Sequence, residues 1–182
     1  MAEQPLNDLT ITRVFNAQRE LVWKAWTEAE RLAQWWGPKG VKPNVHKLEF
    51  RPGGIFHYSL LQPVVQAAAD IGSMQVPDNN VTWGKFVYRE IVAPEKLVFV
   101  SSFSDENGGV SRNPFATQWP LEILNTLTLA DQDDKTLLTI SGGPINATQE
   151  ERQFFMQMMS GVEQGFGGTF DQLEEYLAKI QV

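Results

Sequence analysis

The chain has 182 residues, of which 42% are hydrophobic and 11% aromatic, and it has no cysteine. That is enough apolar material for a buried core, which excludes global disorder, and the missing cysteine excludes disulfides, thiolate metal sites and thiol nucleophiles. Fifteen basic against 22 acidic residues leave a net charge of -7 with no basic run, a balance that repels phosphate backbones and anionic lipid.

Residues 1–8 have neither a basic start nor an apolar stretch, so no targeting segment is read there and the cytoplasm is the expected location. No apolar run reaches bilayer length. The sequons Asn80-Val81-Thr82 and Asn146-Ala147-Thr148 carry no weight without a secretion signal. Residues 9–15 alternate as a short strand. Asn16 is placed to cap a first helix, whose apolar stripe is Leu21, Val22, Ala25 and Trp26. Thr27, with Glu30 three residues on, is placed to box the start of a second. That helix carries Leu32, Trp35 and Trp36 and stops at Gly37-Pro38.

Residues 45–50 and 55–61 read as a hairpin around Arg51-Pro52-Gly53-Gly54. Residues 81–92 and 97–103 read as a second, around Pro94-Glu95. Between the two lie residues 62–80, apolar at first and rich in Gly, Pro and Asn later, expected as a short helix and a loop that together form a lid. Residues 104–118 read as a long loop. Two more strands, 120–129 and 136–140, flank an acidic turn, and Gly142-Gly143-Pro144 reads as the end of the sheet. Thr148 and Glu151 form a capping box. From Phe155 onward, Met158, Met159, Val162, Phe166, Phe170, Leu173 and Leu177 recur at helical spacing, which predicts one amphipathic helix to about residue 180. Gly161, Gly165, Gly167 and Gly168 interrupt it, each costing up to about 1 kcal/mol relative to alanine. They are read as keeping a space open beside the helix.

Strands bunched together rather than alternating with helices predict an α+β fold. The expectation is one domain over residues 1–182, with a curved antiparallel sheet wrapped around the long C-terminal helix and a cavity between them.

Several segments occur together in a telling order: Trp35-Trp36-Gly37-Pro38, Phe50-Arg51-Pro52-Gly53-Gly54, Trp83-Gly84-Lys85-Phe86, Pro94-Glu95-Lys96-Leu97-Val98-Phe99, and the run from Gly165 through Phe166 and Gly167 to Leu173. Over almost the whole chain they resemble bacterial members of the activator-of-heat-shock-protein-ATPase homologue family, in the START-like (SRPBCC) superfamily. The resemblance implies a helix-grip fold whose cavity takes apolar or amphipathic small molecules, with no shared catalytic residues. The departure is residues 61–73, which stand where related sequences turn directly into the next strand.

His46 and His57 are the only histidines, too few for a zinc site, which takes about three or four protein ligands. Strand alternation puts His46 on the face of Leu48 and Phe50, and His57 on the face of Ile55, opposite Phe56 and Tyr58. Gly165-Phe166-Gly167-Gly168 outwardly resembles a dinucleotide loop, but it sits inside a helical pattern where backbone amides are already used. Glu122 and Asn125 point to opposite faces of one strand, so one of them is placed to be a lone polar group in an apolar pocket. The aromatic and Met-rich surfaces supply the candidate ligand-binding set. It comprises Trp36 and His46 at the mouth and first hairpin, Phe56, Tyr58, Phe99, Phe103 and Trp119 on the sheet side, and Met159, Val162 and Phe166 on the helix.

Three functions follow as expectations. The first is a binding protein for an apolar or aromatic small molecule, without metal or cofactor, nucleic acid or membrane, and with homodimerisation left open. The second is a cyclase- or aromatase-like enzyme with one pocket acid or base, the candidates being Tyr58, His46 and Glu122. The third, implied by the resemblance, is a co-chaperone stimulating a heat-shock ATPase.

Overall fold

A computed structural model describes residues 9–61 and 80–181. The residues expected to form a lid lie almost wholly outside these. In chain order the elements are β1 (Leu9–Phe15), α1 (Arg19–Thr27), α2 (Ala29–Trp35), β2 (Lys42–Leu48), β3 (Ile55–Leu61), β4 (Val81–Val92), β5 (Lys96–Ser104), β6 (Val110–Ser111), β7 (Glu122–Gln132), β8 (Lys135–Ile145), α3 (Gln149–Gln157) and α4 (Met159–Ile180). The described strands form a single antiparallel sheet ordered β1-β8-β7-β5-β4-β3-β2, with β6 paired on β5. The helices cover its inner face. This is the α+β arrangement that the bunched strands predict.

The inner face is set by alternation. On β7 it carries Ile123, Asn125, Leu127 and Leu129, all buried. The core is an aromatic cluster joining α1 and α2 to the sheet. Trp26 meets Trp35 and Trp36 edge-on at 4.9 and 5.7 Å, Trp36 meets Phe86 at 5.3 Å, and Phe86 stacks on Phe99 at 4.3 Å. Each such ring contributes about 1.5–3 kcal/mol by leaving water. The Trp35 indole N–H donates to the Ala25 carbonyl at 3.0 Å, so its burial strands no donor.

Several local expectations are corrected. The caps of α1 and α2 are Gln18 and Glu28, neither with a side-chain cap bond. Thr27 instead turns its hydroxyl back onto the Trp23 carbonyl at 2.8 Å, so it closes α1 rather than opening α2. Strand β8 continues through Gly142, Gly143 and Pro144 to Ile145. Strand β7 pairs with it along that whole length, Ile123 opposite Pro144 and Glu122 opposite Ile145.

The C-terminal helical stretch is two helices rather than one. Met158, at φ -93° and ψ 1°, breaks it, and its N–H bonds to the carbonyls of Phe154 and Phe155, both at 3.1 Å. The capping box at Thr148 forms as expected: Glu151 N donates to Thr148 Oγ1 at 3.2 Å, and Thr148 N to Glu151 Oε2 at 3.0 Å. From Gly167 onward, α4 is pinned to the rest of the molecule. Arg13 reaches the Gly167 carbonyl at 3.1 Å, Asp171 at 2.5 Å and Glu174 at 3.0 Å. The Gln172 amide donates to the Gly37 carbonyl, and Arg31 to the Tyr176 hydroxyl at 3.2 Å.

Candidate ligand-binding cavity

Where α3 and the first half of α4 cross the sheet, packing is incomplete and leaves a cavity of about 80 Å³. Ile11, Ile123 and Ile140 from the strands face Phe155, Val162 and Phe166 from the helices. Beyond it, above β3, β4 and β5, lies a second space of about 210 Å³ walled by Tyr58, Leu60, Thr82 and Phe103. Trp119, Ile123 and Ser101 border both, so the two spaces adjoin, as the inner and outer lobes of a cleft. Trp119 comes from the loop between β6 and β7 and packs on Phe155, their ring centroids 5.4 Å apart.

Aspartate, glutamate, lysine, arginine and histidine are absent from the described lining of both lobes. The polar groups of the inner lobe are Ser101 and Asn125. Asn125 is only 6% exposed and stands opposite Phe99 on β5 and Gly142 on β8. Its Nδ2 donates to Ser101 Oγ at 2.9 Å and to the Ile123 carbonyl at 3.0 Å. A carbonyl only accepts, so this contact settles which end of the carboxamide is nitrogen. Oδ1 therefore lies beside Gly142, where a Cβ would come within 2.7 Å of it. In the outer lobe the Tyr58 ring lies on the backbone of its cross-strand partner Gly84, where any Cβ would collide with the ring. Burial pushes the Tyr58 phenol up to about 12, so it is neutral at ordinary pH.

The candidate residues read from the sequence divide three ways. Trp119, Val162 and Phe166 line the inner lobe, and Tyr58 and Phe103 the outer. Trp36, Phe56 and Phe99 belong to the core cluster, because α1 and α2 fill the space in front of them. Met159 packs on the smaller cluster of Leu9, Ile123 and Phe155 at the helix break. His46 is on the other side of the sheet. A bulge between Val45 and Lys47 shifts the register of β2, so His46 leaves the face of Leu48. It bonds Ser59 Oγ at 2.8 Å and packs on Trp83 at 4.7 Å and His57 at 5.6 Å. Desolvation first, and the neighbouring His57 second, lower its pKa. His57 lies under the turn after β5, its Nε2 at 3.1 Å from the Asp105 carbonyl.

Glu122 and Asn125 do take opposite faces, and Asn125 is the one turned inward. Ser101, Ile140, Gly142 and Phe155 were not anticipated. Ser101 had one usable signal, a polar residue at an inward position between Phe99 and Phe103. The helix glycines were expected to keep a space open. A Cβ at Gly165, Gly167 or Gly168 would find no atom within 4 Å among the described residues, so there is open space beside them, although none of the four is in the lining of either space. Among the described residues, no group of three or more His, Cys, Asp or Glu is placed to hold a metal ion, and no helix is long and apolar enough to cross a membrane.

The sequence model of the family described as Activator of Hsp90 ATPase homolog 1-like protein matches residues 16–178. No curated protein matches the chain. Among solved structures the chain is similar to protein Ms6760 from Mycobacterium smegmatis, with a TM-score of 0.68 and 26% identity, over 92% of this chain and 88% of that one. It is similar in fold to a protein from Staphylococcus epidermidis, at a TM-score of 0.71 and 24% identity over 98% of this chain and 94% of that one. It also shares its fold with CalU16 from Micromonospora echinospora, at a TM-score of 0.55 and 17% identity, covering 92% of this chain and 74% of that one.

Proposed function

We propose that this chain, which belongs to the Activator of Hsp90 ATPase homolog 1-like protein family and has the helix-grip fold, binds an uncharged, largely apolar small molecule in the cleft between the sheet and α3–α4. The observation that carries the reading is the cleft itself: two adjoining lobes with mostly apolar walls and no charged side chain in their described lining. A charged ligand would lose its hydration there with nothing to replace it. An apolar one gains about 25 cal/mol per Å² removed from water, so burying about 250 Å² yields roughly 6 kcal/mol before the cost of association.

Binding is better supported than acid–base turnover. A general acid or base works best with a pKa near the operating pH. Of the three candidates, His46 and Glu122 are on the outer face, and Tyr58 in the cleft is shifted away from neutrality.

Native mass spectrometry of the freshly purified protein and of Val162→Trp tests the reading. The indole should fill the inner lobe, deny it to the end of any ligand that spans both spaces, and weaken binding of an added neutral aromatic probe such as 2-naphthol by about tenfold or more, with the circular dichroism spectrum retained. If a folded Val162→Trp variant binds the probe as the parent does, the inner lobe takes no part in binding and the reading fails.

A further inference from the structure

The lining of the inner lobe is apolar except at Ser101, Asn125 and the backbone of Gly142. Both Asn125 Nδ2 protons are committed, to Ser101 Oγ and to the Ile123 carbonyl. No bond of a described residue to its Oδ1 stands beside these two, and Oδ1 is not one of the fully covered, unpartnered atoms, which are on Arg19, Trp26, Trp36 and Ser104, so it keeps some exposure in a residue that lines the cavity. Ser101 Oγ accepts from Asn125, which leaves the hydroxyl proton of Ser101 to be donated elsewhere. One acceptor and one donor are therefore set side by side on an apolar surface. Buried polar groups in folded proteins rarely stay unpaired, and each costs stability while it does.

From this geometry we infer that Asn125 and Ser101 form a recognition point for a ligand hydroxyl group, and that they determine which apolar molecules the cleft accepts. The inference rests on the binding reading above. A hydroxyl matches both groups at once: its proton goes to Asn125 Oδ1, and its oxygen accepts from Ser101. A methyl group of the same size would strand both. An ionised carboxylate could accept from Ser101 but would be repelled by Oδ1, and no cation in the described lining offsets its charge.

The size of the lobes orients the ligand. The inner space, about 80 Å³, is about half the roughly 150 Å³ of an apolar cavity that holds a benzene ring. The outer space, about 210 Å³, is larger than that. The hydroxyl therefore sits in the inner lobe, and the apolar body extends past Trp119 to lie under Tyr58 and Phe103. Gly142 belongs to the device, because a side chain there would push the carboxamide out of place.

The test compares two probes of one shape, 2-naphthol and 2-methylnaphthalene, titrated into the protein and followed by amide chemical shifts. The wild type should bind 2-naphthol about tenfold more tightly, the difference expected when two buried polar groups are matched rather than stranded. Asn125→Leu should abolish that preference while still binding 2-methylnaphthalene, which also reports an intact cleft. Ser101→Ala, a milder change, should weaken 2-naphthol several-fold and leave 2-methylnaphthalene unaffected, so the inference stays testable if Asn125→Leu does not fold. Equal binding of both probes by the wild type, or an unchanged preference in folded variants, overturns the inference and leaves the binding reading standing. If neither probe binds the wild type, the binding reading fails and the inference falls with it.

Discussion

From Thr169 onward, α4 buries Phe170, Leu173 and Leu177 among the core aromatics, whereas before it the same helix presents Val162 and Phe166 half-exposed to a cavity. The later half is tied down by Arg13, Gln172 and Arg31. The earlier half contains four glycines within eight residues, and at three of them a side chain would meet nothing among the described residues. One continuous helix thus joins a segment that stabilises the fold to a segment that closes over the cleft. Its hydrophobic stripe runs through both, so periodicity alone does not separate them. What separates them is whether the apolar face meets other side chains or empty space.

The strongest way to break this comparison is to truncate one residue in each half. Leu173→Ala should lower the unfolding free energy by about 2–5 kcal/mol, since it leaves a cavity in a filled core. Val162→Ala should cost less than about 1 kcal/mol, because its side chain already borders a void and removes little area from water. Urea unfolding of the two variants decides it, and equal losses would mean that the halves do not differ.

Glycine replacement sharpens the contrast at a smaller magnitude. Gly165→Ala and Gly168→Ala introduce methyl groups with no described neighbour within 4 Å, at positions already helical. Each should raise stability by about 0.4–1 kcal/mol, mainly by restricting the unfolded chain. The same stiffening should slow exchange of 2-naphthol out of the cleft, measured by NMR lineshape. Destabilisation by either alanine would point to a packing requirement for the glycine and undo the account of the earlier half.

Much of the architecture was legible. Strands β3 and β4 stand where the alternation of residues 55–61 and 81–92 puts them, because each has one face against the core. Asn125 was legible for the same reason, as a polar residue in register with Ile123 and Leu127. Ser101 carried a weaker signal: alternation with Phe99 and Phe103 makes it rather than Ser102 the inward serine, but a lone serine in a strand does not mark a site. The break at Met158 leaves no mark, because Phe155, Met159 and Val162 keep helical spacing across it. His46 was misplaced by one bulged residue, and a shift of one residue exchanges the faces of a strand. The sheet runs past Gly142-Gly143-Pro144 because β7 pairs with β8 through Ile145, and a local breaker signal does not show the long strand that holds it.

The smallest expected effect separates the helices by pH. Glu151 holds the start of α3, with one oxygen accepting from Thr148 N and the other from Arg112 at 2.5 Å. The Arg112 guanidinium first, and the Thr148 N–H second, hold its carboxyl below the usual 4.5. A carboxylate whose pKa is lower in the folded state contributes stability above its unfolded value, and that contribution is lost as the pH falls through the folded one. Acidification below about 4.5 should therefore loosen the first turns of α3, while the region of α4 around Phe170 and Leu173, held mainly by buried apolar side chains and with its Arg13 pairs to Asp171 and Glu174 at the exposed surface, changes less. Amide exchange at Phe154 and Phe155 compared with Leu173 and Leu177 between pH 6 and 3, corrected for intrinsic rates, measures the difference. Glu151→Gln keeps an acceptor for Thr148 but no charge, so its α3 protection should be lower at pH 6 and nearly flat down to pH 3. If Glu151→Gln retained the full pH response, the capping carboxylate would not be its source, and the anchoring of α3 would have to be sought in the contact of Phe155 with Trp119.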